Sequence, residues 1–133
     1  MRVLFSCTAT EGHFAPLVPL ARAFTGLGHD VAFATASAHE ARVRGEGFEH
    51  LPAGIDETEV KHRMADFRDG IVKIPPAERR PMAFTHRFAI VDSPSKLPDL
   101  LAAANSWRPD LLVHDAAELA GPPVAAALGI PSA

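Results

Sequence analysis

Short apolar runs at Val3 to Cys7, Asp30 to Thr35, Phe48 to Leu51 and Leu111 to His114 alternate with segments of helical periodicity, and this alternation constrains the fold most. Runs of this length, apolar without a polar face, fit strands buried on both sides of a parallel sheet. Between the first two runs, Leu17, Leu20, Ala21, Phe24 and Leu27 recur at helical spacing. Pro16 suits the first turn of that helix, where a missing N–H costs little, and Gly28 suits its end. The result is a strand–helix–strand unit with a right-handed crossover. Ser37 predicts an N-cap for a helix over Ala38 to Arg44, with Glu40 as its capping-box partner, and Gly45 and Gly47 end that helix. The expected class is α/β: an open parallel sheet with helices on both faces.

The middle departs from this rhythm. Glu57 to Asp69 is charged and predicted helical, Gly70 to Pro76 is a break, and Met82 to Val91 is predicted helical. Ser93-Pro94-Ser95 opens a further helix through Leu97, Leu100, Leu101 and Ala104 to about Trp107. This apolar insertion beside the sheet suits either a binding wall or plain core packing. Glu118 to Leu128 reads as a last helix stopped by Gly129, and Ile130 to Ala133 as the start of another strand.

Composition narrows the function. The formal net charge is −3 and charged residues make up 22% of the chain, which gives no support for binding nucleic acid or an anionic membrane. Arg79, Arg80 and Arg87 read as a solvated helix face. A single cysteine, Cys7, excludes an intrachain disulfide and a multi-cysteine metal site, and its place at the end of a strand predicts a buried, inert thiol. The amino-terminal apolar run is too short for a signal peptide or a membrane span, so a cytoplasmic protein with no membrane partner is expected. No histidine or cysteine pair has metal-ligand spacing, so no metal is expected.

Two residues carry the chemistry. Ligands in open α/β sheets bind beyond the carboxyl ends of the strands. His13 lies there, in the loop after the first strand, following Gly12 and preceding a Pro-initiated helix. An imidazole at that place either takes a substrate proton near neutral pH or packs as a structural residue. Asp115 ends the Leu111 to His114 run. If that strand neighbours the first, the carboxylate orients the imidazole and offsets its developing charge. Asp115 equally suits the cap of the following helix, and the two roles are compatible. Glu118 is the weaker rival, inside the predicted helix. The first loop lacks Gly-x-Gly-x-x-Gly, and the chain lacks a P-loop and a Gly-x-Ser-x-Gly elbow.

Four stretches together resemble the amino-terminal half of bacterial natural-product glycosyltransferases of the two-Rossmann-domain (GT-B) type. They are Arg2 to Ser6, Gly12-His13-Phe14-x-Pro16 to Phe24, Gly28-His29-Asp30-Val31 to Thr35, and Pro109 to Asp115 with Glu118 to Pro122 and Ala126 to Pro131. The resemblance implies a Rossmann-like domain over residues 1–133, the incomplete acceptor-binding half of a GT-B fold, with the nucleotide-sugar-binding carboxyl-terminal domain absent. It implies an inverting glycosyltransferase of secondary metabolism and antibiotic biosynthesis, moving a sugar from a TDP- or UDP-sugar to a hydroxyl of a natural-product acceptor. The fragment alone is expected to be inactive.

In that family the histidine after the loop glycine is the general base, which is His13 here, and an aspartate near the late strand, here Asp115, pairs with it. Thr10, Gly12 and Phe14 are the neighbouring loop positions expected to face acceptor or donor. The variable middle, Glu57 to Val91, is expected to build the acceptor pocket, with Met82, Phe84 and Phe88 as contacts. The expected partners are a small hydroxylated acceptor and a nucleotide sugar; no cofactor is expected and a homodimer is allowed. One departure stands out: Thr8-Ala9-Thr10 occupies the place where relatives often carry an extra glycine. The competing readings are a non-catalytic small-molecule-binding or auxiliary domain that supports a partner glycosyltransferase, and a divergent nucleotide-binding oxidoreductase or epimerase. The missing glycine fingerprint opposes the second.

Overall fold

Alternate side chains of a strand face opposite sides of a sheet, and here both sides are apolar. The computed structural model describes residues 1–133 and contains one all-parallel sheet in the order β3-β2-β1-β4, formed by β1 (Arg2–Ser6), β2 (Asp30–Thr35), β3 (Glu49–Pro52) and β4 (Leu111–His114). Val3, Phe5, Phe33 and Val113 enter one layer with Phe14, Val18, Ala21, Val43 and Phe48. Leu4, Ala32, Ala34 and Leu112 enter the other with Leu100, Ala104, Trp107 and Val124. Helices therefore cover both faces, as the apolar runs predict.

Chain order sets the geometry. The first three strands step outward from β1 to β2 to β3, and β4 then returns to the far side of β1. Strand order thus reverses between β1 and β4, which opens a crevice beyond their carboxyl ends. Ser132 bridges in parallel to Leu112, so the last residues do begin another strand, on the outer side of β4.

Several elements differ from expectation for identifiable reasons. The first helix starts before Pro16: α1 (Glu11–Phe14) runs through a 3-10 turn at Ala15–Leu17 into α2 (Val18–Gly26). Pro16 and Pro19 each sit at the start of a segment, so neither interrupts a needed hydrogen bond. Ser37 makes no capping bond; a 3-10 turn at Ser37–His39 leads into α3 (Glu40–Gly45), and Glu40 pairs with Arg44 instead. The third strand is shifted by one residue, because Phe48 turns into the core ahead of it. The charged stretch divides at Met64 into α4 (Glu57–Arg63) and α5 (Ala65–Ile71).

The largest difference is in the second half of the insertion. From Pro76 the chain is helical without a break: α6 (Pro76–Phe84), a π-helical stretch at Thr85–Asp92, and α7 (Ser93–Trp107). Ser93 therefore continues a helix rather than opening one. Ser93 donates its N–H to Phe88 O, five residues back, so the π-helical stretch passes into α7 at the residue before Pro94. Arg87, on the π stretch, is not a solvated cation: it pairs with Glu57 and lies near Asp92. The last helix, α8 (Gly121–Leu128), begins after Glu118 rather than at it.

Phe33 carries much of the packing. Its ring is fully buried and lies 5.0 Å from Phe5, 5.0 Å from Phe14 and 5.2 Å from Phe48, centre to centre. A Phe33→Ala change leaves a cavity where sheet, α1 and the β3 approach meet. It is expected to cost about 3–5 kcal/mol of stability, read as a lowered midpoint in urea unfolding.

Candidate active site

The β1–β4 crevice holds both chemistry-bearing residues. Asp115 directly follows β4, and its N–H donates to Ser6 O at 3.0 Å, extending the β4–β1 ladder beyond the strands. His13 lies on α1, in the first helical turn after β1 rather than in a loop. Its N–H and that of Phe14 donate to Thr10 O. Asp115 is thus held to β1 by its backbone, and His13 by the first turn of α1. The His13 Nδ1–H donates to Asp115 Oδ2 at 2.7 Å. With Nδ1 so committed, the neutral ring carries its lone pair on Nε2, the tautomer a proton acceptor needs. The side chains are 27% and 19% exposed, enough to meet a ligand from the crevice. Phe88 packs edge-on to the imidazole at 5.6 Å between centres and bounds its other side.

Asp115 does not cap α8. Its Oδ2 also accepts from Ala117 N at 3.3 Å, a local turn that leaves the carboxylate facing His13. Glu118 makes the cap instead: its carboxylate accepts from Ala120 N at 2.8 Å and Gly121 N at 3.1 Å. A Cβ on Gly121 would stand 2.9 Å from His114 Cβ and 3.0 Å from Glu118 Oε2, so only glycine lets the carboxylate close on the helix end. Glu118 is buried and turned away from His13 by this role.

The other expected contacts separate. Thr10 contributes its backbone as the N-terminal boundary of α1, with no side-chain capping bond. Gly12 is exposed, with open space around the position of a Cβ. Phe14 is a correction: its ring is fully buried against Phe33 and His39, so it anchors α1 to the core and does not reach a ligand. Phe84 and Phe88 share one wall of a groove of about 480 Å³. Met82 lies on a separate depression beside Phe67, His86 and Ile90, because it falls on another side of the α6 rod.

Three groups at the rim escaped the reading of the sequence. Lys96 is 4% exposed, and its ammonium donates to Cys7 O at 2.6 Å and Ala34 O at 3.0 Å. It ties α7 to the ends of β1 and β2. Burial pulls this ammonium below its ordinary value, against the field of Glu118, Cys7, Asp92 and Asp115. At Gly54, whose φ is +86°, an added Cβ would stand 3.3 Å from Lys96 Cβ, so a glycine leaves room for the lysine stem. Asp92 is pushed upward by burial, opposed by Arg87. The signal was present in the spacing: Lys96 lies on the stripe of Leu100, Ala104 and Trp107, which marks it as inward-facing.

Cys7 lies beneath this rim without taking part. It is fully buried, and burial pushes its thiol up to about 11. Native protein is expected to resist iodoacetamide at pH 8 and to label once unfolded. Because the folded thiol holds its proton above the ordinary 9.0, its stabilising contribution is complete below pH 9.0 and lost as pH rises through about 11. Cys7→Ala should flatten that alkaline loss in urea midpoints. Asp115→Asn should redistribute the His13 proton between Nδ1 and Nε2, read from the imidazole 15N shifts; an unchanged tautomer would show that Asp115 does not set it.

No group of three or more His, Cys, Asp or Glu side chains is arranged to hold a metal ion. No helix is long and apolar enough to cross a membrane.

Comparison with known proteins places this chain in a family. The family model described as Erythromycin biosynthesis protein CIII-like, N-terminal domain, matches residues 22–133, a span that includes Asp115 and begins after His13. Among curated proteins, the 3-alpha-mycarosylerythronolide B desosaminyl transferase of Saccharopolyspora erythraea is 29% identical, over 100% of this chain and 35% of its own. The L-demethylnoviosyl transferase of Streptomyces niveus is 34% identical over 98% of this chain and 33% of its own. The chain thus spans about a third of the length of these relatives. Among solved structures, the Streptomyces sp. SF2575 glycosyltransferase SsfS6 complexed with thymidine diphosphate superposes with a TM-score of 0.79 at 29% identity, over 99% of this chain and 37% of that one. The glycosyltransferase SnogD from Streptomyces nogalater gives 0.74 at 33% identity, over 99% and 32%.

Proposed function

The chain belongs to the erythromycin biosynthesis protein CIII-like N-terminal domain family, and we propose that residues 1–133 are the acceptor-side domain of an inverting natural-product glycosyltransferase. The observation that carries the mechanism is the 2.7 Å bond between His13 and Asp115 at the strand-order reversal. An acceptor hydroxyl in the crevice gives its proton to His13 Nε2 as its oxygen attacks the anomeric carbon. The bond from that carbon to the diphosphate breaks, and the nucleoside diphosphate leaves with the electron pair. Asp115 holds the imidazole in the accepting tautomer and offsets the charge it gains. Attack opposite to the leaving group inverts the anomeric carbon.

The donor reading rests on relatives. The SsfS6 structure is a complex with thymidine diphosphate, which supports a thymidine diphosphate sugar over a uridine one. On this reading the nucleotide is bound outside residues 1–133. The acceptor lies along the groove of α4, α5, α6 and the π stretch, with Phe84 and Phe88 beside it. Met82, on its separate depression, takes no part.

A purely auxiliary, non-catalytic domain would have no need of an oriented histidine, and the short His13–Asp115 bond favours catalysis over it. In the assembled transferase, His13→Ala is expected to lower turnover by about 10²–10⁴ with little change in acceptor binding. Asp115→Asn should lower kcat in the same direction. Turnover near that of the unmodified protein in His13→Ala would overturn the assignment and return the auxiliary reading.

A further inference from the structure

The groove beside His13 has an uneven charge. Its apolar surface comes from Val60, Met64, Phe84 and Phe88. Lys61, Arg68, Arg80 and Arg87 also line it, and no carboxylate does. Arg87 is already engaged with Glu57. The remaining three have no carboxylate within salt-bridge distance.

Elsewhere in the chain helical arginines are neutralised from one turn away, as in Arg44 with Glu40 and Arg63 with Glu59. Arg68 and Arg80 lack that option. The neighbours one turn from Arg68 are Met64, Ala65, Ile71 and Val72, and those of Arg80 are Pro76, Ala77, Ala83 and Phe84. Lys61 is one turn from Glu57, whose carboxylate is held by Arg87. The local sequence thus leaves positive charge around an apolar surface in a chain whose net charge is −3. At about 480 Å³ the groove matches the size of a small-molecule site. Phe88 both lines this groove and packs on the imidazole, so the groove adjoins His13 across that ring.

From this we infer that the groove selects an acceptor with an apolar, ring-sized body bearing an anionic group, a carboxylate or an ionised phenol, met by Arg68 and Arg80. The inference deepens the reading of the groove as the acceptor wall and rests on it for its biological meaning. Planar guanidinium groups suit such oxygens better than an ammonium does, because they offer paired donors in one plane. Lys61 adds charge without that geometry. The apolar surface provides affinity, and the cations discriminate between bodies of equal size.

Matched probes test it without donor or turnover, so failure of the sugar-transfer reading would leave the result intact. Binding of 2-naphthoate, 2-naphthalenemethanol, 2-naphthylmethylamine and acetate is measured by calorimetry and by amide shift changes. The naphthoate is expected to bind about tenfold more tightly than the neutral alcohol and to exceed both the amine and acetate. Its shift changes should centre on Phe84 and Phe88. The preference should collapse in Arg68→Gln/Arg80→Gln and weaken in high salt, and persist in Arg44→Gln, a control far from the groove. Equal affinity for naphthoate and alcohol overturns the proposal, as does acetate matching naphthoate, no binding by any probe, or a preference that survives Arg68→Gln/Arg80→Gln. A melting curve for the double variant confirms that a lost preference is not a lost fold.

Discussion

Everything at the rim depends on β1 being paired on both sides. Its pairing with β2 sets Phe33, on which Phe14 packs α1, and its pairing with β4 fixes Asp115. The two catalytic candidates are separated by 102 positions in sequence and come within 2.7 Å because the strands that lead to them are adjacent and in register. Ser6 pairs with His114, so both strands end at the same height, and the next residues of each face the same crevice. Had β4 added beside β3, Asp115 would lie beyond two further strands and could not reach the imidazole. The chemistry follows from topology before any side chain is chosen.

That arrangement concentrates negative character. Strand carbonyls at their carboxyl ends, Asp115, Glu118 and Asp92 gather within one small region, and an uncompensated group there would be costly. Lys96 supplies the compensation from below, and Arg87 from the side. A buried ammonium is itself expensive, which is why its proton is held less tightly than in water. The benefit is geometric: the same ammonium joins the ends of β1 and β2 to α7 through two carbonyls. Removing it would leave those oxygens short of a donor in a closed space, so stability and site geometry are coupled through a residue that touches neither His13 nor Asp115 directly.

The fold was largely legible because a parallel sheet buried on both faces leaves a strong, simple mark: unbroken apolar runs separated by helical periodicity. The site was legible as far as strand order could be guessed, and Asp115 met His13 for the reason the topology suggested. What escaped depended on hydrogen bonds that residue types alone do not announce. Ser37 and Glu40 carry the letters of a capping box, yet an i, i+4 partner, Arg44, took the glutamate. Ser93-Pro94 carries the letters of a helix start, yet the helix runs into it without a break from the π stretch. Phe14 stands next to His13 in sequence yet points into the core, since successive helical residues diverge by about 100°. Lys96 was overlooked because a lysine is assumed to be solvated, although its spacing with Leu100 and Ala104 placed it inside.

The two halves of the crevice are built to different standards of rigidity. Asp115 directly follows β4, and His13 lies on α1, which Phe14 anchors to the main core. The groove is formed by α4, α5, α6 and the π stretch, whose own core is the small cluster of Val60, Met64 and Val91. Few buried contacts mean low local stability and tolerance of substitution. Phe88 is the hinge between the regimes, touching the imidazole on one side and lining the groove on the other. Changes at Arg68 or Arg80 therefore alter the lining of the groove without moving His13. Changes at Phe88 act on that lining and on the orientation of His13 at once.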